Sequence, residues 1–263
     1  MMKPKQLMDR VGSIEEPTDE IFKMTVESEY IAKNAIAGQF VNVKCREGTQ
    51  ALLRRPISIC SVDRNNGSYD ILFQKKGSGT GLLALKRPGD CLDVLGPLGN
   101  GFDLDIKYKR IAVIGGGIGI FPLLFILNES KSVVKRAYLG FRTKKLVVLE
   151  DEFKRSSSTL EITTDDGSYG EHGFVTDLLK QDILSEKFDM IYACGPTPML
   201  KKVIGTASEN GINCQVSLEQ RMGCGFGACL ICACKTHSEN GGWQYSHVCK
   251  DGPVFDSRTV MFE

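Results

Sequence analysis

The first hundred or so residues alternate between hydrophobic and polar positions over short distances. Residues 22–26, FKMTV, place an apolar side chain at every second position. Because side chains on a β-strand point alternately to its two faces, this pattern is typical of strands with one buried face. Turn signals rich in asparagine, glycine and proline separate such runs at residues 65–67 and 88–89. The other runs read FVNV, LLRRPISIC, YDILFQ and CLDVLG. We predict a small antiparallel β-barrel over residues 1–104.

From about residue 107 the pattern changes to short apolar strands that alternate with longer amphipathic stretches. The runs are RIAVIG, FPLLFILNES, RAYLGF, VVLEDEFKR, LEITTDD, VTDLLKQDIL, MIYACG, PMLKKVIGTASEN and CQVSL. Strand–helix alternation is typical of a parallel sheet covered by helices, the usual frame for a nucleotide. We predict a multidomain chain with an α/β domain over residues 105–217. Residues 218–263, rich in cysteine and glycine, form a small third domain whose fold a metal cluster would support.

Composition and charge exclude some functions. The chain has 33 basic and 32 acidic residues and a net charge of +1, so nothing favours binding to nucleic acid. The uncharged stretch from Ile111 to Leu127 is long enough to imitate a membrane span. However, it contains four glycines in five positions and then Pro122, which a strand, a turn and a buried helix explain better. No signal peptide precedes the pattern, so we expect a cytoplasmic protein without membrane contact.

Cysteines near the end of the chain carry the most specific chemistry. Cys224, Cys229 and Cys232 have C-x4-C-x2-C spacing, and Cys249 follows at a distance. This spacing is typical of a plant-type 2Fe-2S cluster, in which each iron takes two thiolates. A structural zinc site more often has two C-x-x-C pairs, and disulfides do not suit a reducing cytoplasm, but both stay open alternatives. Cys234 is an extra thiol beside this set, which we interpret as a packing residue or a residue that supports the ligands, with replacement of one ligand as the alternative.

Other candidate residues have simpler interpretations. We predict no catalytic residue in this chain. Three histidines are interpreted as surface or supporting residues and not as general bases, because a base needs a substrate within hydrogen-bonding distance. They are His172, His237 and His247. Four further cysteines lie in apolar, strand-like surroundings and are expected to be small buried side chains. They are Cys45, Cys60, Cys91 and Cys214.

Two segments of the α/β region are candidates for nucleotide binding. The glycines Gly115, Gly116, Gly117 and Gly119 follow an apolar strand and precede a predicted helix, so the main chain can approach a pyrophosphate. The full dinucleotide fingerprint is not met, because position 120 is isoleucine, and Arg142 follows the next strand where an acid would bind a ribose hydroxyl. The residues therefore leave NAD and NADP open.

The second segment, Cys194-Gly195-Pro196, closes a later strand at the carboxyl edge of the predicted sheet, where α/β folds bind ligands. One predicted strand of the barrel combines an anion-binding guanidinium with a hydroxyl. Its residues are Arg55, Pro56, Ile57 and Ser58. Gly79 and Thr80 lie in a glycine-rich turn before a short helix, which also suits a phosphate. Two phosphate-binding turns and one cluster indicate an electron-transfer protein.

The chain resembles a known family along nearly its whole length. The segments RRPISI, KGSGTGLL, GPLGNGF, VIGGGIG and CGPTPML, with LEQRMGCGFGACLICACK and VCKDGPVF, are similar to the electron-transfer subunit of bacterial class 1B dihydroorotate dehydrogenase, in the ferredoxin-NADP reductase superfamily. The resemblance implies that residues 1–104 bind FAD and residues 105–217 bind NAD. It also implies that Cys224, Cys229, Cys232 and Cys249 ligate the cluster in residues 218–263.

The implied flavin contacts are specific. They are Arg55, Pro56, Ile57, Ser58, Leu72, Phe73, Gln74, Gly79 and Thr80. Many relatives have an aromatic residue where Ile57 stands, so the chain departs from the family pattern at the flavin ring.

The resemblance further implies an electron path and a partner. Electrons from dihydroorotate would enter FMN in a separate catalytic subunit, cross the cluster and FAD of this chain, and reduce NAD+ during pyrimidine (UMP) biosynthesis. The expected assembly is a heterotetramer of two catalytic and two electron-transfer subunits. The alternatives are a reductase subunit of an NAD(P)H-ferredoxin, sulfide dehydrogenase or oxygenase system, and a non-catalytic module with zinc.

Overall fold

A computed structural model describes residues 3–46, 48, 51–238 and 240–262 of the chain. In that part of the chain, six antiparallel strands close into a barrel in the order β1-β2-β5-β4-β3-β6. They are β1 (Lys5–Thr18), β2 (Ile21–Glu27), β3 (Phe40–Val43), β4 (Arg55–Asp63), β5 (Ser68–Gln74) and β6 (Cys91–Leu98). Helices α1 (Glu29–Asn34) and α2 (Ser78–Leu83) lie between these strands in the chain. The predicted antiparallel barrel is confirmed.

Strand β1 closes the barrel by pairing with both β2 and β6. Its sequence, KQLMDRVGSIEEPT, buries only Asp9 and Val11 among its fourteen residues. The hydrophobic alternation is therefore weak, and the sequence pattern did not reveal this strand. Cys91, expected to be buried, is exposed because it begins β6 at the end of the barrel, opposite Arg10. Cys45, Cys60 and Cys214 are buried as predicted.

The second layer of the molecule is a mainly parallel sheet. Its order is β10-β9-β8-β7-β11-β12-β15, and every pair except the last is parallel. The parallel strands are β7 (Arg110–Gly116), β8 (Val134–Phe141), β9 (Thr159–Thr164), β10 (Glu171–His172), β11 (Met190–Cys194) and β12 (Asn213–Ser217). The helices are α3 (Phe121–Glu129), α4 (Glu150–Ser156), α5 (Val175–Ser185) and α6 (Thr197–Glu209), with 3-10 turns at Gly117–Ile120 and Lys144–Leu146. The predicted α/β fold is confirmed.

Helix α3 joins the two layers. All residues from Phe121 to Leu127 are buried, because the helix packs on the sheet and on barrel strand β4. Each large apolar side chain buried in this way stabilises the fold by about 1.5–3 kcal/mol. This burial explains the apolar stretch in the sequence. No helix in the described ranges has the length and hydropathy to cross a bilayer.

The cysteine-rich end of the chain packs against both layers. Strands β13 (Ala233–His237) and β14 (Trp243–His247) form a hairpin, and β15 (Val254–Asp256) pairs antiparallel with β12. The main-chain nitrogen of Asn100 donates to the carbonyl of Gly252 at 2.6 Å. Val248 and Phe255 lie in the same hydrophobic cluster as the sheet residues. The predicted cysteine-rich C-terminal unit is confirmed. The sequence pattern did not predict that its strand β15 would join the mainly parallel sheet.

Candidate redox site

The four predicted cluster ligands lie together as two pairs. Cys232 and Cys249 are each 1% exposed, and their Sγ atoms are 3.3 Å apart. Cys224 and Cys229 are half-buried, and the main-chain nitrogen of Cys229 donates to Cys224 Sγ at 3.4 Å. No three His, Cys, Asp or Glu side chains among the described residues converge on one point, as a single metal ion requires. Two pairs of thiols suit a two-iron cluster, in which each iron takes two of them.

The loop around these cysteines directs main-chain amides at the sulfurs. We call residues 223–232 the cysteine loop. Gly227 donates to Cys249 Sγ at 3.2 Å, and Ala228 donates to Cys224 Sγ at 3.3 Å. Gly225 and Gly227 have φ values of 81° and 87°, a region that glycine adopts without strain. The loop thus fits a group that carries negative charge on sulfur.

The two pairs of thiols differ in their electrostatics. Burial acts to raise the pKa of Cys224, but hydrogen bonds from the amides of Phe226, Cys229 and Ala228 outweigh it and lower the pKa to about 6. Burial, and then the neighbouring thiol of Cys232, raise the pKa of Cys249 to about 12. Cys234 lies on β13, and burial raises its pKa to about 11. Cys224 of the half-buried pair therefore ionises more readily than Cys249 of the buried pair.

The barrel places the predicted flavin residue Arg55 at the start of β4, beside the glycine-rich turn before α2. The Arg55 guanidinium lies against Gly79 at the start of α2, so closely that a Cβ on Gly79 would be 2.5 Å from Arg55 Nε. The Thr80 hydroxyl accepts from the main-chain nitrogen of Lys76 at 3.0 Å and so shapes this turn. An arginine beside a glycine turn is suited to a phosphate. No sequence pattern indicated that Arg55 and Gly79, 24 residues apart, are in contact.

The other predicted flavin residues differ in how much surface they offer. Pro56, Ser58 and Gln74 are half-buried. Leu72 and Phe73 are 2% and 4% exposed, and Phe73 stacks on Phe22 with ring centroids 5.7 Å apart. Ile57 is 6% exposed. Ile57, Leu72 and Phe73 belong mainly to the barrel core, so their contact with a ligand stays a prediction.

Two glycine segments meet at the carboxyl edge of the sheet. Gly115 pairs with Cys194 across β7 and β11. A Cβ on Gly119 would lie 2.6 Å from the carbonyl oxygen of Cys194, and one on Gly116 would lie 3.0 Å from Pro196 Cδ. Gly117, with a φ of 56°, faces open space. The segments form one cradle built largely of glycine main chain, which suits a dinucleotide lying across the edge.

The structure also supplies acids that the sequence pattern had not placed. Main-chain nitrogens of Asp165 and Asp166 donate to the carbonyls of Phe141 at 2.9 Å and Arg142 at 3.3 Å. The end of β9 therefore lies directly beside the end of β8, where the sequence showed Arg142 in place of an acid. Asp166 Oδ1 accepts from Ser168, and hydrogen bonds from the Ser168 side chain and main chain lower the pKa of Asp166. The acids that the sequence lacks after β8 are therefore supplied by the residues that follow β9.

The three histidines differ in exposure and in their hydrogen bonds. His172 and His237 are exposed, and His247 is half-buried with its main-chain nitrogen donating to Asp251 at 2.7 Å. Cys194 is buried, and burial raises its pKa well above the ordinary range.

Comparison with known proteins agrees with this geometry. Residues 113–204 match the family described as "Oxidoreductase NAD-binding domain". Residues 219–261 match "Iron-sulfur cluster binding domain of dihydroorotate dehydrogenase B". The fold and site thus define an iron-sulfur oxidoreductase with a nucleotide-binding domain.

Whole-length relatives identify the family. A "Dihydroorotate dehydrogenase B (NAD(+)), electron transfer subunit" from Geobacillus sp. (strain WCH70) is 42% identical over 92% of this chain and 93% of its own length. The subunit of the same name from Bacillus mycoides (strain KBAB4) is 39% identical over 99% of this chain and 100% of its own. The chain belongs to the family of dihydroorotate dehydrogenase B electron transfer subunits.

Solved structures share the fold. A chain of an NADH-dependent reduced ferredoxin-NADP oxidoreductase has a TM-score of 0.85 and 30% identity, and the match covers 98% of this chain and 91% of that one. A ferredoxin NADP+ reductase from Neisseria gonorrhoeae has a TM-score of 0.64 and 18% identity, with coverage of 84% and 95%. The second likeness concerns the fold alone.

Proposed function

We propose that this chain is the subunit that passes electrons from an FMN-containing dihydroorotate dehydrogenase subunit, through a 2Fe-2S cluster and FAD, to NAD+. The reaction would serve pyrimidine (UMP) biosynthesis. The observation that carries the proposal is that the thiols lie as two pairs, Cys224 with Cys229 and Cys232 with Cys249. The main-chain amides of the cysteine loop point at sulfurs of both pairs. Nicotinamide exchanges two electrons as hydride and the cluster accepts one, so a flavin must lie between them.

The residues of this chain bind and orient these groups. The four cysteines hold the cluster, and the glycine amides of the cysteine loop stabilise charge on the sulfurs. Arg55, with Gly79 and Thr80, would hold the flavin phosphates, and residues 56–58 and 72–74 would contact the rest of the flavin. The cradle of Gly115, Gly116, Gly117 and Gly119 with Cys194, Gly195 and Pro196 holds NAD(H). No residue of this chain acts as a base on dihydroorotate.

The proposed partner surface surrounds the cysteine loop. Phe226, Leu230 and Ile231 are exposed by 54%, 76% and 57%. Exposed apolar side chains beside a redox site favour contact with another protein. We place the FMN-containing catalytic subunit there, in a heterotetramer of two plus two subunits. We place the assembly in the cytoplasm, since the described cysteines are all unpaired thiols.

A second candidate function has support from the solved structure at 30% identity, an NADH-dependent reduced ferredoxin-NADP oxidoreductase. In that case the chain would exchange electrons between NAD(P)H and ferredoxin. Dihydroorotate separates the two functions, because it reduces this chain through its catalytic subunit in the first case and has no effect in the second.

The cluster site is tested with two cysteine variants of the purified chain. Cys249→Ser should lose its iron and the visible absorption of the cluster while FAD is retained, because Cys249 is one of four ligands. Cys234→Ser is the matched control, since Cys234 lies on the adjacent hairpin and should keep full iron. An unchanged iron content in Cys249→Ser would remove Cys249 from the ligand set, and a colourless wild-type protein with zinc would refute the redox function.

A further inference from the structure

Asn42 lies where the barrel meets the cysteine loop. It is on β3, is 1% exposed, and pairs with Pro56 of β4. Its Nδ2 donates to the main-chain carbonyl oxygen of Cys224 at 3.0 Å. A side chain of the barrel is therefore bonded to a proposed cluster ligand, and its main chain is paired with the proposed flavin strand.

The loop is shaped to accept this side chain. Gly225, the residue after Cys224, has a φ of 81°, and a Cβ built on it would lie 2.3 Å from Asn42 Nδ2. Any other residue at position 225 would push the loop away from the amide. The close approach of loop and barrel thus depends on Gly225 and Asn42 together.

The other amide atom of Asn42 shows that packing is not a sufficient reason for asparagine. Oδ1 is buried and has no hydrogen-bond partner within the described part of the chain. An unpaired buried acceptor is unfavourable, so an apolar side chain of the same size would suit a purely packing role better. What the amide adds is the bond from Nδ2 to Cys224.

The main chain of Asn42 is also fixed. Arg54 Nη1 donates to the Asn42 carbonyl at 3.4 Å, and Arg54 Nη2 donates to both carboxylate oxygens of Asp93 at 2.8 Å. Arg54 immediately precedes β4. The position of the Asn42 amide is therefore set by the same residues that begin the proposed flavin strand.

We propose that Asn42 is a positioning residue that fixes Cys224 relative to the flavin strand and thereby sets the cluster potential and the rate of electron exchange with FAD. This inference rests on the proposed function. A single electron passes between the two centres, and no bond forms or breaks. Hydrogen bonds around a ligand and the orientation of that ligand tune such centres, so losing the Asn42 bond changes both quantities.

The test compares Asn42→Leu, which is similar in size but cannot donate, with Asn34→Leu. Asn34 also donates from Nδ2 to a main-chain carbonyl, that of Tyr30 at 2.7 Å, but lies at the end of α1. Iron and FAD contents, the electron paramagnetic resonance spectrum, the cluster midpoint potential and the rates of flavin and cluster reduction by NADH are measured for each purified chain.

Asn42→Leu should keep iron and FAD but show an altered resonance spectrum, a shifted midpoint potential and cluster reduction slowed by about tenfold. Flavin reduction by NADH should be unchanged, and Asn34→Leu should match the wild type throughout. If Asn42→Leu does not fold, Asn42→Ser is measured in its place. This milder change should shift the same quantities in the same direction.

Two results would overturn the inference. In one, both Asn42 variants are fully loaded and have wild-type spectra, potentials and rates. In the other, both lose iron but keep FAD, which would make Asn42 merely structural. If the wild-type cluster is not reduced by NADH at all, the proposed function fails instead, so the two failures are distinguishable.

Discussion

Gly119 and Cys194 are in main-chain contact across the nucleotide cradle, so that a Cβ on Gly119 would lie 2.6 Å from the Cys194 carbonyl oxygen. Main chain cannot move aside as a flexible side chain does. This contact joins the turn after β7 to the end of β11, and it explains why a glycine is required at position 119 although the dinucleotide fingerprint is incomplete.

Gly119→Ala should therefore destabilise the protein by about 1–3 kcal/mol, as overpacking does, and weaken NAD+ binding by about tenfold or more. Thermal unfolding and equilibrium titration with NADH measure the two effects. Gly205→Ala is the control, because Gly205 lies in α6 with open space around its Cβ position, and it should gain up to about 1 kcal/mol. Unchanged NADH affinity in Gly119→Ala would contradict the proposed cradle.

Adjacent arginines should behave differently. Arg55→Ala should weaken FAD retention by about 10- to 100-fold with little effect on the stability of the flavin-free protein, because Arg55 faces the proposed phosphate turn. Arg54→Ala should destabilise even the flavin-free protein by about 2–3 kcal/mol, since Asp93, 8% exposed, loses its bidentate partner. Urea unfolding and flavin release by ultrafiltration check both expectations. Equal FAD affinity in Arg55→Ala and wild type would contradict the flavin site.

Much of this architecture follows from the sequence because strong local patterns determine it. The alternation in β2 and the apolar runs of β7 and β11 predicted both sheets, and cysteine spacing predicted the thiol cluster. Strand β1 was missed because its pairing with β6, not its apolar content, holds it in place. The contact of Arg55 with Gly79 and the bond from Asn42 to Cys224 depend on tertiary packing, which no local pattern encodes.

The acids beside Arg142 predict a preference for NAD+ over NADP+. Asp165 is exposed at the end of β9, beside the end of β8, and its carboxylate would repel a 2'-phosphate and accept from a ribose hydroxyl. Asp165→Asn should reduce the ratio of NAD+ to NADP+ affinity about tenfold, which corresponds to about 1.4 kcal/mol. Titration with both reduced nucleotides measures this ratio. Asp19→Asn, in an exposed barrel turn, is the control, and an unchanged ratio in Asp165→Asn would exclude Asp165.

Asp9 should make stability depend on pH. It is 8% exposed inside the barrel, and burial raises its pKa to about 6, although a hydrogen bond with Ser28 acts in the opposite direction. Its Oδ2 and the Tyr69 hydroxyl both have no hydrogen-bond partner among the described residues. Because the folded pKa lies above the ordinary value of 3.8, the folded state retains the proton to higher pH.

The contribution of Asp9 to stability is therefore present below about pH 4 and is lost as the pH rises to about 6, a change of about 2–3 kcal/mol. Asp9→Asn should remove this part of the pH dependence and be more stable than the wild type at pH 7. Urea unfolding between pH 4 and pH 7 measures the difference, and parallel curves for the two proteins would show that Asp9 ionises normally.

Electrons from dihydroorotate should reach NAD+ through the cluster and flavin of this chain. We would purify the chain anaerobically in complex with its catalytic subunit and follow the visible spectrum while adding dihydroorotate and then NAD+. Dihydroorotate should bleach flavin and cluster, and NADH should form with the wild-type chain but not with a complex containing Cys249→Ser. NADH formation at the full rate without this chain, or an absence of bleaching by dihydroorotate in a fully loaded complex, would exclude this electron path.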